Sequence, residues 1–208
     1  MIGGHGKVAM RLLRLLAERG DTARGVTRDP DQAADLEGIG ATPIVLDIEN
    51  REIDDAVAGA DAVVFAAGAG AGSGPARKRT VDHAGAVKLI EAARAHEISR
   101  YLMVSAMGVN HPEHWSEQMR PYYEAKAEAD AELQQSGLDY TIVRPGRLTD
   151  EPGTGRVELA ERLERSGSVP RDDVALVLAE CLGAENTVGE AFDLLEGETP
   201  AAEAVRAL

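Results

Sequence analysis

The sequence predicts an α/β fold, a doubly wound parallel sheet with helices on both faces. Short runs rich in Val, Ile and Leu alternate with helical stretches up to about residue 144. These runs are too continuously apolar to alternate polar and apolar positions, as befits strands buried on both faces. A glycine-rich turn also stands immediately before the first helix. A chain of 208 residues, 44% of them hydrophobic, is enough for one packed core and short of two ordinary domains, so a single domain is expected over residues 1–208.

Lys7 to Glu18 carries Val8, Leu12, Leu15 and Leu16 on one helical stripe, and Ala23 to Thr27 reads as extended. A turn at Asp29-Pro30 leads to a short helix near Gln32–Leu36. The strand Thr42–Asp47, a helix over Ile53–Ala58 and the buried-type strand Ala62–Ala67 follow. The longest early helix is expected from Arg77 to His96. Tyr101–Val104 is then a strand, Glu117–Ser136 a helix and Tyr140–Val143 a strand. Residues 145–208, with a helix over Arg171–Cys181 and a strand over Ala191–Leu195, are enough for a small C-terminal lobe on the substrate side. One feature sits awkwardly: a first strand of about five residues is normal, yet only Met1 and Ile2 precede Gly3. The first strand looks truncated, and the expectation is that the natural chain starts upstream of Met1 or that this chain is a shortened version.

Charge and composition narrow the function. With 22 Lys and Arg against 36 Asp and Glu, the net charge is −14, and the basic footprint that nucleic acid or anionic lipid would require is missing. No apolar run approaches the roughly 18 residues of a membrane span, and no signal-peptide core precedes Gly3. The single cysteine, Cys181, excludes an internal disulfide. A cytoplasmic protein acting on a small molecule is expected, with the oligomeric state left open.

Gly3-Gly-His5-Gly6-Lys7-Val8-Ala9 has the spacing G-x-x-G-x-x-A. In a strand-to-helix turn the first glycine permits tight reversal, the second lets backbone amides approach a diphosphate, and the small third residue lets helix and sheet pack closely. The helix start then holds the phosphates, with Gly3, His5, Gly6, Lys7 and Val8 around them. A glycine-rich turn without ligand is the alternative. A Walker-type loop is disfavoured because Val8 follows Gly6-Lys7 where a magnesium-binding hydroxyl is needed. Arg28 ends the second strand, where an NAD-binding protein would usually place an acid against the ribose 2′-hydroxyl. A guanidinium there suits a 2′-phosphate, so NADP is preferred over NAD; a solvated Arg beside Asp29 is the alternative. Asp47 is placed either to meet the adenine edge or to cap the following turn.

Tyr122 and Lys126 form Tyr-x-x-x-Lys, which puts both side chains on one helix face. An ammonium beside a phenol lowers its pKa from about 10, so the tyrosine could exchange a proton with a substrate oxygen near neutral pH. An ordinary surface pair is the alternative.

Taken together, Gly3-x-x-Gly6-x-x-Ala9, Arg28, Ser105, Tyr122-x-x-x-Lys126 and Val143-Arg-Pro-Gly146 resemble the short-chain dehydrogenases/reductases. The likeness is closest to the atypical branch of NAD(P)-binding, NmrA-like and NAD-dependent epimerase/dehydratase proteins. Tyr122-Tyr-Glu-Ala-Lys126-Ala127, Tyr140 to Gly146, Leu148 to Gly155 and Pro170 to Ala175 are especially similar to it. The resemblance implies a Rossmann-like fold, with Tyr122 as general acid/base, Lys126 holding the nicotinamide ribose and Ser105 polarising the substrate oxygen. It places Asp82 where the family usually has Asn, and a carboxylate cannot donate as an amide does. Pro145 and Gly146 would lie against the nicotinamide, and Ala67 and Gly68, at the start of a Gly-rich stretch running to Gly74, beneath the ribose. Ser105 could equally be a strand-end turn residue.

His111 and His114 offer too few ligands for a metal centre, and none is expected. The loop carrying them, with Met107, Trp115 and Tyr123, is a better substrate wall. Cys181 reads as a buried structural thiol, and Asp172 or Asp173 as a helix cap. The expected function is an NADP-dependent oxidoreductase or epimerase/dehydratase-like enzyme acting on a small carbonyl or alcohol. A non-catalytic NADP(H)-binding sensor is the alternative.

Overall fold

The computed structural model describes residues 1–70 and 72–208, so Ala71, within the Gly68–Gly74 stretch, lies outside the described residues. The chain forms the expected α/β sandwich of helices about a mostly parallel sheet. Helix α1 (Lys7–Glu18) leads to β1 (Arg24–Thr27), α2 (Ala33–Gly38), β2 (Thr42–Val45), α3 (Asp54–Val57) and β3 (Ala62–Phe65). Then come α4 (Pro75–Lys78), a π-helical turn (Arg79–Ala84), α5 (Gly85–Ala95), β4 (Arg100–Val104), α6 (Arg120–Gln134) and β5 (Asp139–Pro145). The C-terminal part adds β6 (Arg147–Thr149), β7 (Arg156–Ala160), β8 (Ser168–Pro170), α7 (Arg171–Leu182), β9 (Glu190–Glu196), β10 (Thr199–Pro200) and α8 (Ala201–Arg206).

Strands β3, β4, β5 and β9 pair in parallel, β1 pairs in parallel with β2, and β7 and β10 close the far side antiparallel. The first strand is present in its shortest form. Ile2 bridges Val26 of β1 and Phe65 of β3, both in parallel, and so joins the two halves into one sheet. The order across it is β2-β1-(Met1–Ile2)-β3-β4-β5-β9-β7-β10.

Sequence dictates the local choices. Helix α1 buries Val8, Ala9, Leu12 and Leu13, each large side chain contributing roughly 1.5–3 kcal/mol. Gly20 ends it at φ +89°, with Gly20 N–H bonded to Ala17 O and Asp21 N–H to Leu16 O, the paired bonds of a glycine C-terminal cap. One apolar layer, including Phe65, Leu89, Tyr101, Met103 and Ile142, lies on the α5/α6 side. The other, including Leu12, Leu102, Val143, Leu178 and Phe192, lies on the α1/α7 side.

Two expectations are corrected. The helix expected over Arg77 to His96 starts earlier, at Pro75, and contains the π-turn, whose extra residue re-aims Asp82. Asp172 and Asp173 do not cap α7: its N-cap residue is Pro170, with no side-chain cap. They bind the loop before β7 instead. Asp172 accepts from Gly153 N–H at 3.2 Å, and Asp173 from Thr154 N–H at 3.0 Å and Gly155 N–H at 2.8 Å. Cys181 is buried as expected, and burial pushes its thiol up to about 12. Among the described residues no helix is long and apolar enough to cross a membrane.

Candidate active site

At the C-terminal edge of the sheet, where chain order reverses between β1 and β3, lies a cleft of about 290 Å³. Ligands of open α/β sheets bind at such reversals. Gly3, His5, Gly6, Arg28, Asp47, Ala67 and Gly68 all line it. Gly3 has φ +78°, and a Cβ there would sit 2.7 Å from Ala67 Cα. A Cβ on Gly4 would meet Gly25 Cα at 2.7 Å, so this glycine, outside the expected motif positions, holds the turn against β1. Gly6 is the N-cap of α1, and no side chain caps the first-turn amides; they stay free for an anion. The glycines therefore form a cradle that any side chain would fill, and the chain's residues fit a dinucleotide there.

Two expected cofactor residues stand apart from the cleft. The Lys7 ammonium donates to Asp150 Oδ2 at 2.5 Å, and the Val8 side chain is buried in the core. Only their backbone amides face the helix mouth. His5 pairs with Asp35 at 2.8 Å. Asp47 caps the following turn, accepting from Glu49 N–H and Asn50 Nδ2, bonds that hold its carboxyl below the usual carboxylate range, and it also lines the cleft. Arg28 is exposed and makes no ion pair among the described residues, while Asp29 turns away to accept from Asp31 N–H. Arg77 of α4 lines the same cleft and lies 3.9 Å from Glu49. Sequence reading missed it because only the fold brings α4 beside the loop after β2.

Deeper along the edge, Lys126 is 3% exposed and Asp82 is 1% exposed, with Nζ 3.5 Å from Asp82 Oδ1. Lys126 also donates to Val104 O at 3.1 Å and Ala67 O at 3.5 Å, while Asp82 Oδ2 accepts from Ala69 N–H at 3.0 Å. One turn before Lys126 on α6, Tyr122 touches the Tyr123 ring edge-on at 5.4 Å and has the Lys78 ammonium 5.5 Å from its ring centre. The expected lowering of the phenol pKa is not what this environment produces. Burial first, then the Asp82 charge, push Tyr122 well above the ordinary tyrosine value.

Ser105 follows β4, with its N–H bonded to Val143 O at 2.8 Å and its buried hydroxyl unpartnered among the described residues. Next to it, Arg144 Nε donates to Asp130 Oδ2 at 3.0 Å, both side chains being buried. Burial raises the Asp130 pKa, while Arg144 and Ser105 pull it back. Asp130 continues the Tyr122–Lys126 stripe by one more turn, a spacing visible in the sequence but unread. Pro145 is buried at the end of β5. Gly146 is required by packing: a Cβ would strike Leu195 Cδ2 and meet Gly167 O at 2.7 Å.

The loop after Ser105 has an ordered wall. Trp115 stacks on Tyr123 with centroids 5.5 Å apart and donates from Nε1 to Gly108 O at 2.9 Å. His111, Glu113 and His114 bring three possible ligand atoms within 4.8 Å of one another on this loop. Glu113 and His114 are exposed, and a metal centre normally needs further ligands and a supporting shell.

Comparison with known proteins agrees with this geometry. Residues 3–185 match the family model described as NAD(P)H-binding. The chain is 44% identical over 211 residues to an uncharacterised sugar epimerase of Bacillus subtilis, covering 100% of this chain and 98% of the relative. Among solved structures, a Bacillus halodurans protein assigned to the NAD-dependent epimerases/dehydratases superposes with a TM-score of 0.95 at 40% identity, covering 100% of this chain and 97% of the other. ChuY, an anaerobillin reductase from Escherichia coli O157:H7, superposes with a TM-score of 0.78 at 28% identity, covering 94% and 95%.

Proposed function

The chain belongs to the NAD(P)H-binding family of atypical short-chain dehydrogenases/reductases, and on that premise we propose that it is an NADP(H)-dependent reductase of a small carbonyl compound. It is an NAD(P)-binding protein of oxidoreductase or epimerase kind. The observation that carries the finer reading is the buried Asp82–Lys126 pair one turn below Tyr122 on α6, at the sheet edge where the cleft runs. A buried charged pair costs desolvation that a purely structural helix would avoid with apolar residues.

When bound, NADP(H) supplies or accepts a hydride. The amides at the start of α1 would hold its diphosphate, and Arg28 and Arg77, which line the cleft, would supply positive charge to it. The phenol of Tyr122, held protonated by burial and by Asp82, would donate its proton to the substrate carbonyl oxygen and be reprotonated from solvent. Lys126, held by Asp82 and by Val104 O, would offer its ammonium to the nicotinamide ribose, and Ser105 would orient the substrate oxygen. The stacked Trp115 and Tyr123 form one wall of the substrate space.

NADPH consumption against aldehydes, ketones and quinones tests this reading. Turnover that disappears in Tyr122→Phe with NADPH binding retained supports it. Tight NADPH binding with no turnover on any of these substrates would favour a sensor of the NADP(H) state instead.

A further inference from the structure

We propose that the carbonyl substrate carries an anionic group, a carboxylate or a phosphate, which Lys78 and Arg120 bind at the two ends of the aromatic wall. This inference rests on the placement of substrate beside Tyr122 proposed above and adds the chemical class that the site selects.

Lys78 is the last residue of α4, and its ammonium lies 5.5 Å from the centre of the Tyr122 ring. The cations around it on α4 and the π-turn all stand beside carboxylates. Arg77 lies 3.9 Å from Glu49, Arg79 3.4 Å from Glu128 and His83 3.8 Å from Glu128. The other lysines of the chain are held as well: Lys7 pairs with Asp150, Lys126 pairs with Asp82, and Lys88 donates to the carbonyls of Ile48 and Arg51. Lys78 has neither an ion pair nor a hydrogen bond among the described residues, and it is the lysine that stands over the ring of the proposed proton donor. An aromatic face attracts an ammonium without satisfying its N–H donors as an oxygen would, so these remain for a ligand.

Arg120, the first residue of α6, repeats the arrangement. Its guanidinium carbon lies 5.9 Å from the centre of the Trp115 ring, and it makes no ion pair among the described residues, not even with Glu124 one turn later. Trp115 stacks on Tyr123, and Tyr123 meets Tyr122 edge-on. The continuous run of rings Trp115, Tyr123, Tyr122 thus carries a cation without a counter-ion at each end.

The charge of the whole chain gives this placement its meaning. At −14 the protein repels anions from a distance, and its 36 Asp and Glu against 22 Lys and Arg offer carboxylates in excess to any cation that needs one. Two cations left open on the ring surface that bears the proton donor reverse the potential where substrate must approach. A neutral carbonyl compound gains nothing from them, whereas a carboxylate or phosphate suits both an ammonium and a planar guanidinium.

Trp115 is the single tryptophan of the chain, so its fluorescence reports on this surface. The test titrates benzoate, phenyl phosphate and the neutral benzamide into NADP⁺-saturated protein, read by Trp115 fluorescence and by calorimetry, for wild type and for Lys78→Gln/Arg120→Gln. We expect at least one of the two anions to bind about tenfold or more tightly than benzamide, a preference that shrinks as salt rises and falls to about twofold or less in the double variant, with NADPH affinity unchanged. Which anion binds better tells carboxylate from phosphate. Equal affinities for the three probes, binding of none, or a preference that survives both substitutions would overturn the proposal. A parallel loss of NADPH affinity in the double variant would overturn it too, by assigning the two cations to the cofactor. Anion preference without turnover would leave this inference standing and remove the reductase reading; turnover of neutral carbonyl compounds without anion preference would do the reverse.

Discussion

Asp82 Oδ1 lies 3.5 Å from Lys126 Nζ with both side chains buried, so the lysine charge is balanced inside the protein. The π-turn of residues 79–84 sets this relationship by swinging Asp82 toward Ala69 N–H and Lys126 together. Removing one partner of a buried pair leaves the other charge stranded, at a cost of about 3–5 kcal/mol. Asp82→Asn is therefore expected to lower unfolding free energy by about that much in urea titration. A loss below about 1 kcal/mol would mean that Lys126 is screened by other means.

The same pair shapes the pH profile. Burial and the Asp82 charge raise the Tyr122 pKa, so the proton-donating form persists throughout the neutral and mildly alkaline range. NADPH-dependent reduction is expected to show no loss of kcat attributable to Tyr122 between pH 7 and about 10. Asp82→Asn removes a negative neighbour and moves the phenol pKa down, bringing an alkaline fall in kcat to lower pH. A wild-type kcat that already declines near pH 8, with that decline absent in Tyr122→Phe residual activity, would show a phenol activated in the manner first expected from the sequence.

Arg28 has no ion-pair partner among the described residues and projects at the cleft. A charge-assisted bond to a 2′-phosphate predicts that Arg28→Ala weakens NADPH binding by about tenfold or more while leaving NADH within about twofold. Isothermal calorimetry with both cofactors checks this, and an equal loss for the two would remove Arg28 from phosphate recognition.

The parallel sheet was readable because buried strands announce themselves as unbroken apolar runs, as Ala62–Phe65 and Tyr101–Val104 do. The short strands β6, β8 and β10 were not readable, since two or three residues carry no period, and their pairing is decided by neighbours far along the chain. Gly3, Gly6 and Tyr122–Lys126 were legible because their spacing lies within one turn or one helix, and Arg28 because it directly follows a strand. Arg77 and the Asp130–Arg144 pair join segments brought together only by folding, and the rise in the Tyr122 pKa depends on how deeply α6 is buried.

Gly3 and Gly6 separate two roles that the motif merges. At Gly3 the backbone is left-handed at φ +78° and a Cβ would strike the Ala67 backbone at 2.7 Å. Gly6 has an ordinary φ of −65°, and its tightest contact would be Gly3 O at 3.0 Å, with Ala66 O at an ordinary 3.8 Å. Gly3→Ala is expected to destabilise the fold by about 1–3 kcal/mol, with NADPH binding lost alongside. Gly6→Ala should keep a near-normal Tm while weakening NADPH binding, since its methyl stands at the helix mouth. Equal Tm losses in the two variants would contradict the division.

Asp130 and Arg144 offer the sharpest distinction between architecture and chemistry at this site. Arg144 Nε holds Asp130 Oδ2 at 3.0 Å, while Asp130 Oδ1 and the neighbouring Ser105 hydroxyl are both buried without a hydrogen-bond partner among the described residues. If the pair serves packing alone, Asp130→Asn and Arg144→Met will each cost about 3–5 kcal/mol, and the double variant Asp130→Leu/Arg144→Met will recover most of that stability together with normal reduction kinetics. If Asp130 also orients Ser105 toward substrate, the double variant will regain its Tm but keep a raised KM. The coupling energy from the urea cycle and the KM of the refolded double variant therefore read the two roles separately. We expect recovered stability with impaired KM, because the buried, unpartnered Ser105 hydroxyl lies beside the Asp130 carboxylate.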